Sequence, residues 1–215
     1  MGDIRPIKIV STSMQVAKVL RHAILTRELR EGDVINLNAT AEKLGVSNTP
    51  VREALQILSQ DELVKLRPNK GAVVLGVTRE SVRDYYETRA ILESAAARKA
   101  CQAADRTGIA KAFETEEQTI QEGRLSDYFD CNQMFHRAIW EVTNNKKLIS
   151  LATSLFNWSA RAAHSTEREY VMMSHEEHRE ILAAIENQDG DLAARRMEDH
   201  LLRSMKNIMT YLDDD

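Results

Sequence analysis

The sequence predicts a mainly α-helical protein with two domains, a small one in which helices precede a β-hairpin and a larger one that contains only helices. Apolar residues recur at the three- and four-residue spacing of amphipathic helices through most of the 215 residues. Alternation typical of strands is confined to residues 63–75. Because the pattern becomes wholly helical just after this stretch, we expect domains at residues 1–77 and 78–215.

Three helices and a hairpin follow one another in the N-terminal domain. Gly45 ends the second helix, Ser47 is a natural N-cap for the third, and Pro50 is tolerated in its first turn. The predicted helices cover residues 12–29, 39–44 and 48–60, and the predicted strands cover residues 63–67 and 72–75. Helix, tight turn, helix and hairpin is the order of a winged helix-turn-helix domain.

Amphipathic helices follow one another without interruption from Thr78 to the C-terminus. Thr78 and Ser126 are the predicted N-caps of the first and third of these helices. The six predicted helices cover residues 79–103, 107–122, 126–143, 146–164, 168–187 and 190–212. Because strand-like alternation is nearly absent here, an antiparallel helical bundle is the expected architecture.

Composition and charge indicate the cellular compartment and the class of partner that this protein binds. Apolar residues make up 43% of the chain, but no run of 18 uncharged apolar residues could span a membrane. We also find no apolar signal segment at the N-terminus and no CxxC motif, so a reduced cytoplasmic setting is expected. Residues 1–77 carry a net charge of +3 and residues 78–215 carry −7. A basic head on an acidic body is typical of a nucleic-acid-binding module joined to a domain that does not touch nucleic acid.

The third helix would enter the major groove of double-stranded DNA with its leading residues toward the bases. Arg52 suits guanine and Asn48 suits adenine, while Ser47 and Thr49 can reach phosphates at the helix N-terminus. Two further candidates lie at the hairpin tip, where a cation and a glycine can approach the neighbouring groove. The predicted DNA-contacting residues are Ser47, Asn48, Thr49, Arg52, Lys70 and Gly71.

The same segment resembles the DNA-binding domain of GntR-type regulators. Residues 44–55, which read LGVSNTPVREAL, are similar to the family signature LGVSRTPVREAL, and residues 63–64 and 68–71 resemble the family's wing. The resemblance implies a DNA-binding transcriptional regulator. Asn48 stands where the family usually has an arginine that reads guanine, which implies a different base preference at that position.

Three histidines and an asparagine form a candidate metal site in the C-terminal domain. Asn132 and His136 are four residues apart and share a helix face, while His178 and His200 lie at core-type positions of the fifth and sixth helices. Three imidazoles that face the bundle interior would make a metal site with open positions. Each histidine taken singly could equally be an ordinary core or surface residue.

The C-terminal domain resembles the FCD effector domain of FadR-like regulators in its RAILE, FH, HREILAAI and MEDH segments, at residues 89–93, 135–136, 178–185 and 197–200. The resemblance implies that an aspartate and three histidines hold a divalent ion, often zinc, nickel or manganese, beneath an organic-acid effector. Asn132 takes the place of the aspartate and is a neutral, weaker ligand. We therefore expect a metal site, with zinc favoured, at Asn132, His136, His178 and His200. His175 matches no ligand of the family.

Two arginines are candidates for binding the carboxylate of such an effector. Arg89 could clamp it together with the metal, or could instead form an ordinary ion pair with Glu93 four residues later. Arg161 is the second candidate. The sequence leaves the two interpretations of Arg89 open.

We expect a homodimer on a pseudo-palindromic operator, acting as a repressor whose affinity changes when a small carboxylate binds. A dicarboxylate, a hydroxy acid or a sugar acid would suit the site that the resemblance implies. One alternative is a regulator for which the metal itself is the effector. Another is a metalloenzyme with Glu93 or Glu177 as its base, although the sequence contains no HExxH motif.

Overall fold

The described parts of the chain, residues 11–68, 70–158 and 167–213 of a computed structural model, are mainly helical with one small antiparallel sheet. This confirms the predicted fold class. The chain divides into two compact units, Met1–Val77 and Thr78–Asp215. Among the described residues, no helix is long and apolar enough to cross a membrane.

The N-terminal unit contains three helices and three strands. These are α1 (Thr12–Leu25), β1 (Val34–Ile35), α2 (Leu37–Leu44), α3 (Asn48–Gln60), β2 (Val64–Arg67) and β3 (Gly71–Val74). The strand order is β1-β3-β2, and both pairings are antiparallel. The buried face of α3 packs against α1 and the sheet through Val51, Ala54, Leu55 and Leu58. The sequence did not predict β1, because two residues are too few to show an alternating pattern.

Local capping explains where two predicted boundaries were wrong. The first helix ends at Leu25 rather than at residue 29, because the chain turns through a positive φ of 58° at Arg27. The second begins earlier than predicted, since the Asn36 side chain accepts hydrogen bonds from the backbone N–H groups of Asn38 and Ala39. Gly45 ends this helix in the left-handed conformation, with φ of 65°, as predicted.

The C-terminal unit is an all-helical bundle. Its elements are α4 (Arg79–Ala100), α5 (Thr107–Gln121), a 3₁₀ turn (Leu125–Asp127), α6 (Tyr128–Glu141), α7 (Lys146–Trp158), α8 (Arg168–Glu186) and α9 (Gly190–Asp213). Thr78 caps α4, as predicted, in a reciprocal capping box with Ser81. The predicted cap at Ser126 was wrong, because this residue lies within the 3₁₀ turn and α6 begins only at Tyr128. Residues 159–164 of the predicted fourth helix lie outside the described residues.

Polar contacts show that neighbouring helices of the bundle run antiparallel. Arg98 near the end of α4 pairs with Asp191 at the start of α9, at 3.0 Å. Glu180 and Arg196 join α8 to α9 at 3.3 Å in the same antiparallel sense. Helices α4, α6, α8 and α9 therefore surround a common interior, into which polar side chains project among the apolar ones.

Candidate metal centre and nucleic-acid interface

Three imidazoles meet inside the C-terminal unit, one from each of α6, α8 and α9. His136, His178 and His200 are 0%, 0% and 3% exposed. Their potential ligand atoms all lie within 4.8 Å of one another, and the Nε2 atoms of His136 and His200 are 3.2 Å apart. Three of the four residues proposed from the sequence as metal ligands therefore lie close enough together to share one ion.

Each of these imidazoles contacts a glutamate carboxylate through its Nδ1 atom. The Nδ1 atoms contact Glu93 Oε2 at 2.6 Å for His136, Glu116 Oε2 at 2.9 Å for His178, and Glu177 Oε2 at 2.7 Å for His200. An ionised carboxylate can only accept hydrogen bonds, so each Nδ1 carries a proton, which in a neutral imidazole leaves the lone pair on Nε2. Carboxylates commonly hold metal-binding histidines in this way.

The pKa values of these groups support that assignment. Burial alone would raise the pKa of Glu93, but the charge of Arg89 and the contact with His136 outweigh it and hold the pKa at about 2. Glu116 is buried and Glu177 is partly exposed, and their imidazole contacts likewise hold their pKa values at about 2. Burial lowers the pKa of His200 to about 3. At neutral pH the carboxylates are therefore ionised, while His200 is neutral.

The unpaired atoms of the site fit a bound cation. Nε2 of His178 is buried and has no hydrogen-bond partner among the described residues. The Nε2 atoms of His136 and His200, 3.2 Å apart, are close enough for both to bind one ion. Asn132, one helical turn before His136, also has a buried Oδ1 without a partner in the described parts of the chain. These donors are ones that a borderline divalent metal accepts.

Arg89 forms the ion pair that was one of its two predicted interpretations. Its Nε donates to Glu93 Oε1 at 2.5 Å, and Arg89 is 4% exposed. The guanidinium carbon lies 4.7 Å from the ring centre of Phe156. Nη2 is nevertheless buried with no hydrogen-bond partner among the described residues, so the ion pair leaves donor capacity unused. Arg161, the second candidate, lies outside the described residues.

The leading end of α3 presents polar side chains at the surface of the N-terminal unit. Ser47, Asn48, Thr49 and Arg52 are all exposed. Asn48 Nδ2 donates a hydrogen bond to Oδ1 of Asn38 in α2 at 2.9 Å. The tight turn before α3 leaves this end of the helix open to a partner, as a helix-turn-helix requires.

The two candidates at the hairpin tip differ in their surroundings, since one is exposed and the other is tightly packed. Lys70 is exposed. Gly71 has a positive φ of 100°, and a Cβ atom there would lie 1.9 Å from the carbonyl oxygen of Ile35. Only glycine fits this close approach between β1 and β3, so Gly71 has a structural role whatever it contacts outside the protein.

Comparison with known proteins identifies the family. Residues 12–74 match the profile of the bacterial regulatory proteins of the gntR family, and residues 84–203 match the profile of the FCD domain. The chain belongs to the GntR family, with an FCD domain. GntR-family members are transcriptional regulators, and their helix-turn-helix domain binds DNA.

Full-length relatives agree with this assignment. The gluconate operon transcriptional repressor of Bacillus licheniformis is 26% identical over 87% of this chain and 81% of its own length. The Nta operon transcriptional regulator of Aminobacter aminovorans is 29% identical over 85% of this chain and 88% of its own. The solved structure of E. coli McbR/YncC has the same fold, with a TM-score of 0.74 and 21% identity, and it covers 95% of this chain and 100% of its own.

The carboxylates of this GntR-family regulator were only partly found from its sequence. Glu93 and Glu177 were considered as possible bases, whereas here they hold His136 and His200. Glu116 was missed. It occupies the apolar face that Ile109 and Phe113 define in α5, and a charged residue at such a position is the signal that could have revealed it.

His175 takes part in the shell around the site without joining the three converging imidazoles. Its Nδ1 donates to Glu116 Oε1 at 2.8 Å, on the same carboxylate that holds His178. Its ring stacks on Phe113, with centres 4.6 Å apart and planes inclined by 8°. His175 thus helps to fix Glu116, which in turn fixes the His178 ring.

Proposed function

We propose that this GntR-family regulator binds a pseudo-palindromic operator as a homodimer, and that a small carboxylate held at a divalent metal in its C-terminal unit controls operator affinity. The observation that carries the proposal is the convergence of three imidazoles, whose potential ligand atoms lie within 4.8 Å of one another and which each contact an ionised carboxylate. In their neutral form these imidazoles would offer three nitrogen donors to one ion. We expect the protein to act as a repressor.

His136, His178 and His200 would hold the metal, with Asn132 as a fourth, weaker ligand. Imidazole-rich sites suit zinc and nickel better than manganese, so zinc is the first expectation. When bound, the metal supplies a positive centre that attracts a carboxylate oxygen. Because all four ligands are neutral, the positive charge of the ion would be uncompensated within the ligand set. An anionic effector would balance it.

Arg89 is the proposed second anchor for the effector. A buried guanidinium with an unpartnered N–H can donate a charge-assisted hydrogen bond to a carboxylate without releasing Glu93. Arg161 remains a further candidate for the same role. The operon named in one relative concerns gluconate, a sugar acid, which makes gluconate a sensible first probe for this chain.

In the DNA-binding half, we propose that Arg52 reads a guanine and that Asn48 reads a different base from the one that the family's usual arginine reads. Ser47 and Thr49 would contact phosphates, helped by the N-terminus of α3. Lys70 and the backbone at Gly71 would reach the adjacent groove. The exposure of Ser47, Asn48, Thr49 and Arg52 at the start of α3, and of Lys70 in the hairpin, supports this assignment.

A second candidate function is a regulator for which the metal itself is the signal. Asn132 favours it, because a neutral amide in place of a carboxylate lowers metal affinity and would allow the ion to exchange. In a metal-responsive regulator the operator affinity would change with the metal concentration. In a carboxylate-responsive regulator it would change with the carboxylate concentration.

Operator affinity measured under separate control of metal and carboxylate tests the proposal. Full-length protein would be stripped with a chelator, reloaded with zinc, and titrated with gluconate, lactate and succinate against a fluorescent operator duplex selected from random DNA. A carboxylate-dependent change of about 5–150-fold, absent in His136→Ala, is expected. A full response to zinc alone would favour the metal-responsive regulator, and a carboxylate response that persists in His136→Ala would contradict the proposed site.

A further inference from the structure

Two asparagine side chains meet at the surface where α2 and α3 begin. Asn48 Nδ2 donates to Asn38 Oδ1 at 2.9 Å, and both residues are exposed. The backbone positions are fixed on both sides, because the Asn36 cap fixes the start of α2 and the left-handed Gly45 fixes the turn into α3. The amide contact therefore joins two helix starts whose relative position is already set.

The contact leaves Asn48 with a defined set of free groups. A primary amide has two N–H donors and one acceptor oxygen. One N–H of Asn48 is used by Asn38, which leaves one N–H and Oδ1. The major-groove edge of adenine offers the matching pair, the N7 acceptor and the N6 donor. Guanine offers two acceptors on that edge, so Asn48 Oδ1 would face a second acceptor there.

Asn38 also limits the freedom of the Asn48 side chain. An isolated exposed asparagine must give up its rotamer freedom when it binds a base, and this loss weakens binding. A partner that already holds the amide in place reduces this loss.

We propose that Asn38 is a positioning residue that holds the Asn48 amide for adenine, so that the two asparagines act as one base-reading unit in each half-site. The proposal rests on the proposed function in one respect, that the start of α3 faces base edges. It adds a residue of α2 to the determinants of specificity. It also assigns an adenine to the position at which the family's usual arginine reads guanine.

The test compares base preferences of the full-length protein and its variants on DNA. Wild-type protein selects its operator from duplexes with a randomised central region, and affinities are then measured for that duplex and its single-base variants. We expect adenine at one position of each half-site. Asn48→Ala and Asn38→Ala should each reduce the preference at that same position by about tenfold. The double variant should lose no more preference than either single variant, because the pair acts as a unit.

Asn38→Asp and Ala39→Ser are the matched variants. Aspartate keeps the acceptor that orients Asn48, so the preference for adenine should persist, while the added negative charge weakens affinity for all duplexes alike. Ala39 is exposed next to Asn38, and its replacement by serine should leave both quantities unchanged. Circular dichroism of each variant checks that α2 is intact.

Three results would overturn the inference. An unchanged preference in Asn38→Ala, with a changed one in Asn48→Ala, would remove Asn38 and leave the recognition helix as proposed. A change at a different base position would mean that Asn38 reads a base by itself. No change in Asn48→Ala at any position would overturn both this inference and the proposed role of Asn48.

Discussion

The two units of this regulator build their sites in opposite ways. In the C-terminal unit the three histidines are at most 3% exposed, and each is held by a carboxylate from another helix. In the N-terminal unit the DNA-contacting candidates other than Gly71 are exposed side chains at the start of one helix and in one hairpin. In the buried site side chains of other helices fix the ligand groups in place, whereas the surface site presents its side chains directly to a partner.

Removal of a central imidazole gives the largest expected effect. His178→Ala should lower metal affinity more than 100-fold, because it removes a ligand, whereas loss of a supporting residue typically costs about 10–100-fold. Zinc affinity measured by competition with a chromophoric chelator checks this. His22→Ala, an exposed histidine of α1, is the matched control and should bind zinc as the wild type does.

Loss of a carboxylate that holds one of the imidazoles should lower zinc affinity by a smaller amount. Glu116→Gln keeps the size of the side chain but removes the charge that fixes the Nδ1–H tautomer of His178, so zinc affinity should fall about 10–100-fold. Glu114→Gln is the control, because Glu114 is an exposed residue of the same helix. Equal zinc affinities for both variants would remove Glu116 from the site.

In the exposed site, a single change should alter specificity without a change in fold. Arg52→Ala should remove about 1–3 kcal/mol of discrimination at one base pair while thermal stability stays near that of the wild type. Lys70→Ala should instead weaken binding to all sequences alike and reduce the salt dependence by about one phosphate. Discrimination that survives in Arg52→Ala would show that the recognition helix docks differently.

Exchange of the proposed amide ligand for a carboxylate should have the smallest effect, and it should raise metal affinity rather than lower it. Asn132→Asp supplies an anionic oxygen one turn before His136, and zinc affinity should rise by roughly tenfold, about 1.4 kcal/mol. Isothermal titration with zinc would measure it. An affinity that does not change would place Asn132 outside the ligand set.

The same contrast between a buried and an exposed site explains which features could be predicted from the sequence alone. The fold class follows from helical periodicity and one short hairpin, and the DNA-contacting candidates follow from a contiguous motif. The histidines could be proposed because they match a family pattern, but their partners could not. Glu116 lies 62 residues from His178, and only the packing of α5 against α8 brings the two together.

The sequence misplaced the start of one helix and did not predict one short strand. The cap at Ser126 was misplaced because a 3₁₀ turn precedes α6, and serine fits either position. Strand β1 was missed because its two residues are defined by pairing with β3, through Val34 with Val73 and Ile35 with Ala72. The strand depends on pairing with distant residues, which periodicity does not report, whereas the 3₁₀ turn is a local alternative to the predicted cap.

The metal stoichiometry of the full-length protein tests the central claim most directly. Native mass spectrometry with elemental analysis, after incubation with zinc and removal of the excess, should find one divalent ion per chain in the wild type and none in His178→Ala. Wild-type protein that holds no metal, or a His178→Ala variant that holds as much as the wild type, would contradict a centre built from these three histidines.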